Sequence, residues 1–228
     1  MKRPSKPSSD NLTRTPVRVW DLPVRIVHWS IVSLVIAAYV TSRYNWMTWH
    51  VRLGKLLLTL LIFRVLWGFW GSDTARFRRF LVHPSVVFTY ARGLFSRNYA
   101  TSVGHTPAGG WMVVILLVVL SIQVFTGLFV SNDVVRVGPL FGIFSADTVD
   151  MLVSAHGMLF KLLMFLVTIH IAFVILYLIV KRQNLIGPMT TGIQHLPPSV
   201  EQPRFVSTQR ALVLFISSVI VAMLISQL

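Results

Sequence analysis

The sequence predicts an all-α integral membrane protein, a helical bundle that crosses the bilayer five times. Three observations predict it. Of 228 residues, 54% are hydrophobic and only 12% charged, whereas soluble domains carry about 25% charged residues. The mean hydropathy is +0.70. Five apolar runs each approach the roughly 20 residues needed to cross a hydrocarbon core. In such runs every backbone amide must be satisfied within the segment, so they fold as helix, and the ten-residue alternation of a membrane barrel is absent.

The chain opens with MKRPSKPSSDNLTRTPVR. This stretch is polar, basic and proline-rich, and no small-residue cleavage site follows the first apolar run. Residues 1–17 are therefore expected to form a retained, disordered cytoplasmic tail. The five spans are expected at about 26–44, 51–71, 110–130, 152–180 and 211–228. Between the second and third, HPSVVFTYARGLFSR (83–97) places Val86, Val87, Tyr90, Leu94 and Phe95 on one helical face, with Arg92 and Arg97 away from it. It reads as a short interfacial helix. The loop 131–151 carries a Gly-Pro turn signal and is either a docking surface for an external partner or a plain connector.

Charge sets the orientation. Lys2, Arg3, Lys6, Arg14, Arg18 and Arg25 precede the first span. Arg76, Arg78, Arg79, Arg92 and Arg97 lie between the second and third, and Lys181, Arg182, Arg204 and Arg210 between the fourth and fifth. The opposite side holds Arg43, Arg52 and Arg136. Basic residues crowd cytoplasmic loops, so the N-terminus is expected in the cytoplasm and the C-terminus in the periplasm, with a bacterial inner membrane as the setting. The same rule accounts for the net charge of +14 without nucleic acid, since no soluble basic domain of useful length is present. The absence of cysteine excludes disulfides, thiolate metal sites and cysteine nucleophiles.

His83, His105 and His195 fall in segments expected to be cytoplasmic, and His83 and His195 read as solvated or interfacial. The other four histidines fall in spans and form two levels. His28 and His170 lie toward the cytoplasmic side, and His50 and His156 toward the periplasmic side. His156 and His170 are 14 residues apart on one helix, close to four whole turns, so they point to nearly the same side, separated by roughly 21 Å. Facing imidazoles at two depths suit two bis-histidine b haems, since imidazole is a standard axial ligand of haem iron and bundles build such sites from facing helices. Gly54 and Gly157 offer close approach to a flat macrocycle beside the outer histidines. Lys55 and Lys161, costly at that depth unless paired, suit the propionates of the outer haem, and Arg25 and Arg64 those of the inner one. Hydrogen-bonded packing of the histidines, a metal transporter, and a proton- or ion-conducting channel are the competing readings. The spans contain no Asp or Glu, which disfavours the last two.

At these residues the sequence resembles the bacterial cytochrome b561 / nickel–iron hydrogenase b-type cytochrome family, related in plan to the membrane subunit of formate dehydrogenase. The matching stretches are VRVWDLPVRIVHW (17–29), WHVRLGKLLLTLLIFRVLWGFWGS (49–72), GHTPAGGWMVV (104–114) and HGMLFKLLMFLVTIHIAF (156–173). The resemblance implies a four-helix dihaem cytochrome b core over 18–195, with His28, His50, His156 and His170 as iron ligands. Residues 196–228 then form a linker and an additional fifth transmembrane helix. It also implies electron transfer between the quinone pool and a periplasmic or membrane-bound redox protein such as a c-type cytochrome or a dehydrogenase. A stand-alone quinone-linked oxidoreductase, such as a superoxide oxidase, is the alternative within redox chemistry. The family more usually has His-Asn-Pro where this chain has His105-Thr106-Pro107.

A quinone is expected near GHTPAGGWM, which opens the third span on its inner side. A helix start presents unpaired N–H groups, Gly109 and Gly110 permit close approach, and His105 and Thr106 supply polar groups. His105 is expected to exchange a proton near neutral pH.

Overall fold

The computed structural model describes residues 14–93, 103–130, 139–140, 143–198 and 200–227. Five helices in it are long and apolar enough to cross a membrane: α1 Leu22–Arg43, α2 Met47–Trp70, α5 Pro107–Gly127, α6 Ala146–Ile179 and α8 Thr208–Gln227. Between them lie the short helices α3 Phe77–Phe80, α4 Pro84–Arg92 and α7 Ile186–Thr191. The protein is a multi-pass all-α membrane bundle, as its apolar pattern dictates.

Two of the spans, α1 and α5, begin at a side-chain cap. Asp21 caps α1 by accepting from the Val24 N–H at 2.8 Å, and a proline follows in the first turn. Thr106 caps α5 in the same way through the Gly109 N–H. A tight turn joins α1 to α2. Asn45 adopts φ 58° there, and the Trp46 N–H bonds the Thr41 carbonyl at 2.8 Å; asparagine tolerates this left-handed geometry better than most residues. The turn brings α2 back along α1 and places His50 opposite Ala38.

Leu57 and Leu61 of α2, Val119, Leu120 and Val124 of α5, and Leu163 of α6 form the buried centre of the bundle. Large side chains such as Ile36, Phe69, Phe125, Phe165 and Val213 stay exposed, because lipid solvates them as well as a core does. The helix α6 begins at Ala146, earlier than the expected 152, and takes in Asp147 and Asp150. Its 34 residues span about 51 Å, so it is longer than the hydrocarbon core. Most of the expected docking loop, 131–138 with 141–142, lies outside the described residues, as do Leu94, Phe95 and Arg97 of the expected interfacial face.

Two segments depart from expectation. Residues 15–17, expected in a disordered tail, belong to strand β1 Thr15–Arg18, which pairs antiparallel with β2 Ile193–Leu196. Val17 and Leu196 are buried there. Gly192, at φ +86°, ends α7 and offers its carbonyl to the Val19 and Trp20 N–H groups; a Cβ at this position would come within 2.9 Å of the Trp20 carbonyl oxygen. The linker after β2 is also tied down. Arg204 and Asp73 exchange hydrogen bonds, and the Val206 N–H bonds the fully buried Ser72 hydroxyl. From there α8 packs along α2, where Phe215 meets Phe63 edge-on.

Candidate functional site

The outer pair is the better defined. His50 extends from the second turn of α2 and His156 from the third turn of α6. Their ring centroids lie 6.4 Å apart with planes at 83°. Two imidazoles on opposite sides of one metal, through bonds of about 2 Å, have centroids roughly 6 Å apart. His50 Nδ1 lies 2.9 Å from the Ala38 carbonyl oxygen, to which it donates. Nε2 of the neutral ring then carries the free lone pair. His156 Nδ1 lies 3.1 Å from the Thr126 hydroxyl, and its Nε2 3.1 Å from the Gln123 amide nitrogen. If Thr126 accepts from Nδ1, the Gln123 amide donates to the same Nε2 lone pair that iron would take. Thr126 is thus placed to fix the tautomer a ligand needs.

Open space flanks this pair. A Cβ added at Gly54 or at Gly157 meets nothing within 4 Å; half-buried Gly54 leaves room for a flat ring one turn from His50, whereas Gly157 is exposed and its open space is the outer surface of α6. Gly127 does the opposite: a Cβ there would stand 3.0 Å from His156 Cε1, and its absence lets α5 close on the histidine. Lys55 is half-buried and Lys161 exposed, and neither has an acidic partner among the described residues.

The end of the bundle near His28 is marked by unsatisfied nitrogen. His28 on α1 lies within electrostatic reach of His170 on α6 and of Arg64 on α2. His28 Nδ1, Arg64 Nη1, Arg25 Nε and His105 Nδ1 are all buried without a hydrogen-bond partner. Buried polar groups are normally paired, so the orphaned guanidinium nitrogens of Arg25 and Arg64 fit a group that brings acceptors, as haem propionates do. Arg64 is 6% exposed, stacks over Phe77 at 5.5 Å, and is attracted by Asp21. Arg25 donates to the Thr190 carbonyl and lies against Gly192, so the α7–β2 corner already engages part of it.

Around the expected quinone position the structure is specific. The hydroxyl oxygen of Thr106 is occupied as the α5 cap. Gly110 is held against Phe80, whose carbonyl oxygen would lie 2.8 Å from an added Cβ. These contacts give both residues a structural role at the helix start; at Gly109 an added Cβ would meet only the Thr106 hydroxyl, at 3.0 Å. His105 sits between Trp20 and Phe80, at ring distances of 4.6 and 4.2 Å. Burial, with the Arg64 charge added, pushes its imidazole down to about 3, against an opposing interaction with the Thr74 backbone. The expectation that His105 exchanges a proton near neutral pH is therefore corrected. Desolvation keeps the ring neutral, and it can only donate or accept a hydrogen bond. It lines a cavity of about 300 Å³ together with Thr74, Val103 and Glu201.

Three contributors escaped the sequence reading. Gln123 and Thr126 stand out only as polar residues in an apolar span, which was the available signal. Asp21, 3% exposed, also accepts from the Trp67 indole at 2.9 Å; its position just before a span made it look like loop.

No curated protein and no solved structure shows a significant match to the chain. The family model for prokaryotic cytochrome b561 matches residues 19–192, which include His28, His50, His156 and His170. The chain belongs to the prokaryotic cytochrome b561 family, and is therefore a haem-binding membrane protein of electron transfer.

Proposed function

We propose that the protein holds two b haems, one between His50 and His156 and one between His28 and His170, and passes electrons through the bilayer between a redox partner and the quinone pool. The observation that carries this reading is the 6.4 Å, edge-on approach of His50 and His156, with His170 about four turns further along α6 and within electrostatic reach of His28 on α1. Bound haem supplies one-electron oxidation and reduction at its iron. The chain's own residues do the rest. Ala38 and Thr126 orient the outer rings, Arg64 and Lys55 offer positive charge to propionates, and the apolar centre at Leu57, Val124 and Leu163 keeps water out. Orientation follows from the basic loops, with the N-terminus and His28 at the cytoplasmic side of a bacterial inner membrane. A redox titration of the purified protein should resolve two midpoints of b type; a single midpoint contradicts the two-haem reading.

Lys55 tests the outer site. A nearby cation favours the reduced, less positive iron. Lys55→Met should therefore lower the outer midpoint and leave the inner one in place, and Lys161→Met should do so more weakly because its side chain is exposed. Equal midpoints in wild type and Lys55→Met would return this lysine to simple snorkelling toward the interface.

The quinone belongs, on this reading, beside the inner haem, where the buried Nδ1 of His105 lacks a partner. With its one N–H toward the Thr74 backbone, the neutral ring presents a bare Nδ1 that accepts from a quinol hydroxyl rather than delivering a proton. A quinone analogue should shift the inner haem's spectrum, and His105→Ala should weaken that shift several-fold with both haems retained. A shift confined to the outer haem would move the site to the opposite face.

A further inference from the structure

A second cavity, of about 530 Å³, lies where the linker meets the end of α2 and the start of α8, on the same membrane face as His28. Arg76, Arg78, Arg79, Arg204 and Arg210 line it, with Asp73 as its only acidic residue. Asp73 is committed: it lies 3.9 Å from Arg76 and 3.7 Å from Arg79 and also bonds the Arg204 backbone. One carboxylate does not neutralise five guanidinium groups, and Arg78, Arg204 and Arg210 have no acidic partner among the described residues.

The cluster is held rather than merely crowded. The reciprocal bonds between Arg204 and Asp73, and the bond from Val206 to Ser72, fix the linker on the turn that carries Arg76, Arg78 and Arg79. Arg18 of β1 lies over the Phe205 ring at 4.7 Å, which ties a third segment to the same wall. Arg76 is further oriented by its bond to the Gly71 carbonyl at 2.7 Å. Ser207, at the edge of the cavity, accepts from the first turn of α8, so the positive end of that helix points the same way. Arg210 sits in the first turn of a spanning helix, which sets the cavity at the level where lipid headgroups lie. Guanidinium forks match phosphate oxygens in pairs, and basic pockets beside spanning helices bind anionic headgroups.

We propose that this cavity binds the phosphodiester headgroup of an anionic membrane phospholipid, which clamps α8 and the linker to the inner end of the four-helix core. This gives the fifth helix a role independent of haem number or quinone. The test uses the full-length, haem-loaded protein in a neutral detergent, titrated with phosphatidylglycerol, phosphatidylcholine or inorganic phosphate and followed by native mass spectrometry. Phosphatidylglycerol should remain bound where phosphatidylcholine does not. At roughly fivefold per cation, Arg204→Gln with Arg210→Gln should weaken its retention by roughly 25-fold. Arg43→Gln with Arg52→Gln, an equal loss of charge at the opposite end, should leave retention unchanged, and the unchanged haem spectrum of both variants will show that each is folded. Equal retention of phosphatidylcholine, equal losses in the two double variants, or no loss at the cluster would overturn the proposal. Displacement of the lipid by equimolar inorganic phosphate would assign the cavity to free phosphate and overturn the lipid as its occupant.

Discussion

Alanine at His156 should remove one haem and spare the other. The imidazole has no apolar substitute as an axial ligand, and the ring is held by Thr126 and Gln123 within 6.4 Å of His50. Loss of His156 therefore leaves His50 without an opposing ligand beside the open space at Gly54. Bound haem should fall by about half, and one midpoint should disappear from the redox titration. His50→Ala should remove the same midpoint. His28→Ala and His170→Ala should each remove the other. If His156→Ala and His170→Ala abolished the same midpoint, the division into two levels would be wrong. Thr126→Val tests the orienting bond more gently: iron is retained, but the outer midpoint moves, because the hydrogen bond that sets the basicity of His156 is gone.

Asp21→Ala should be strongly destabilising for a single polar substitution. The carboxylate caps α1 at Val24, accepts from the Trp67 indole and faces Arg64, all while 3% exposed. Removing it costs about 1 kcal/mol for the cap and about 1–3 kcal/mol for the unpaired indole, before any penalty for stranding the buried Arg64 charge. A total of about 2–4 kcal/mol should appear as a clear drop in unfolding temperature. Asp21→Asn, which keeps an acceptor for Val24 or Trp67, should recover part of it. The inner haem should be lost before the outer one on heating, since Arg64 and His28 share this corner. An unfolding temperature for Asp21→Ala within error of wild type would refute this account of the corner.

The features legible in the sequence were those with a period or a composition. Apolar spans of roughly 20 residues are constrained by the bilayer itself, so the five helices stand within about six residues of their expected bounds. The spacing of His156 and His170 is fixed by helical geometry, so their placement about four turns apart on α6 followed from counting. The β1–β2 pair was not legible. Each strand has four residues, and 181 residues separate Thr15 from its partner Leu196; no local pattern encodes such a pairing. Asp21 was missed for a related reason, since its partners Trp67 and Arg64 are brought to it only by the α1–α2 turn. The pH behaviour expected of His105 failed because sequence does not show burial, and Trp20 and Phe80 remove the water on which its ordinary titration depends.

The most direct measurement is the haem-to-protein ratio of the purified full-length chain, from the absorption of extracted haem against amino-acid analysis. About two b haems per chain are expected, with one lost in His156→Ala and the other in His28→Ala. A ratio of one in the wild-type chain, unchanged by one of these two substitutions, would contradict it.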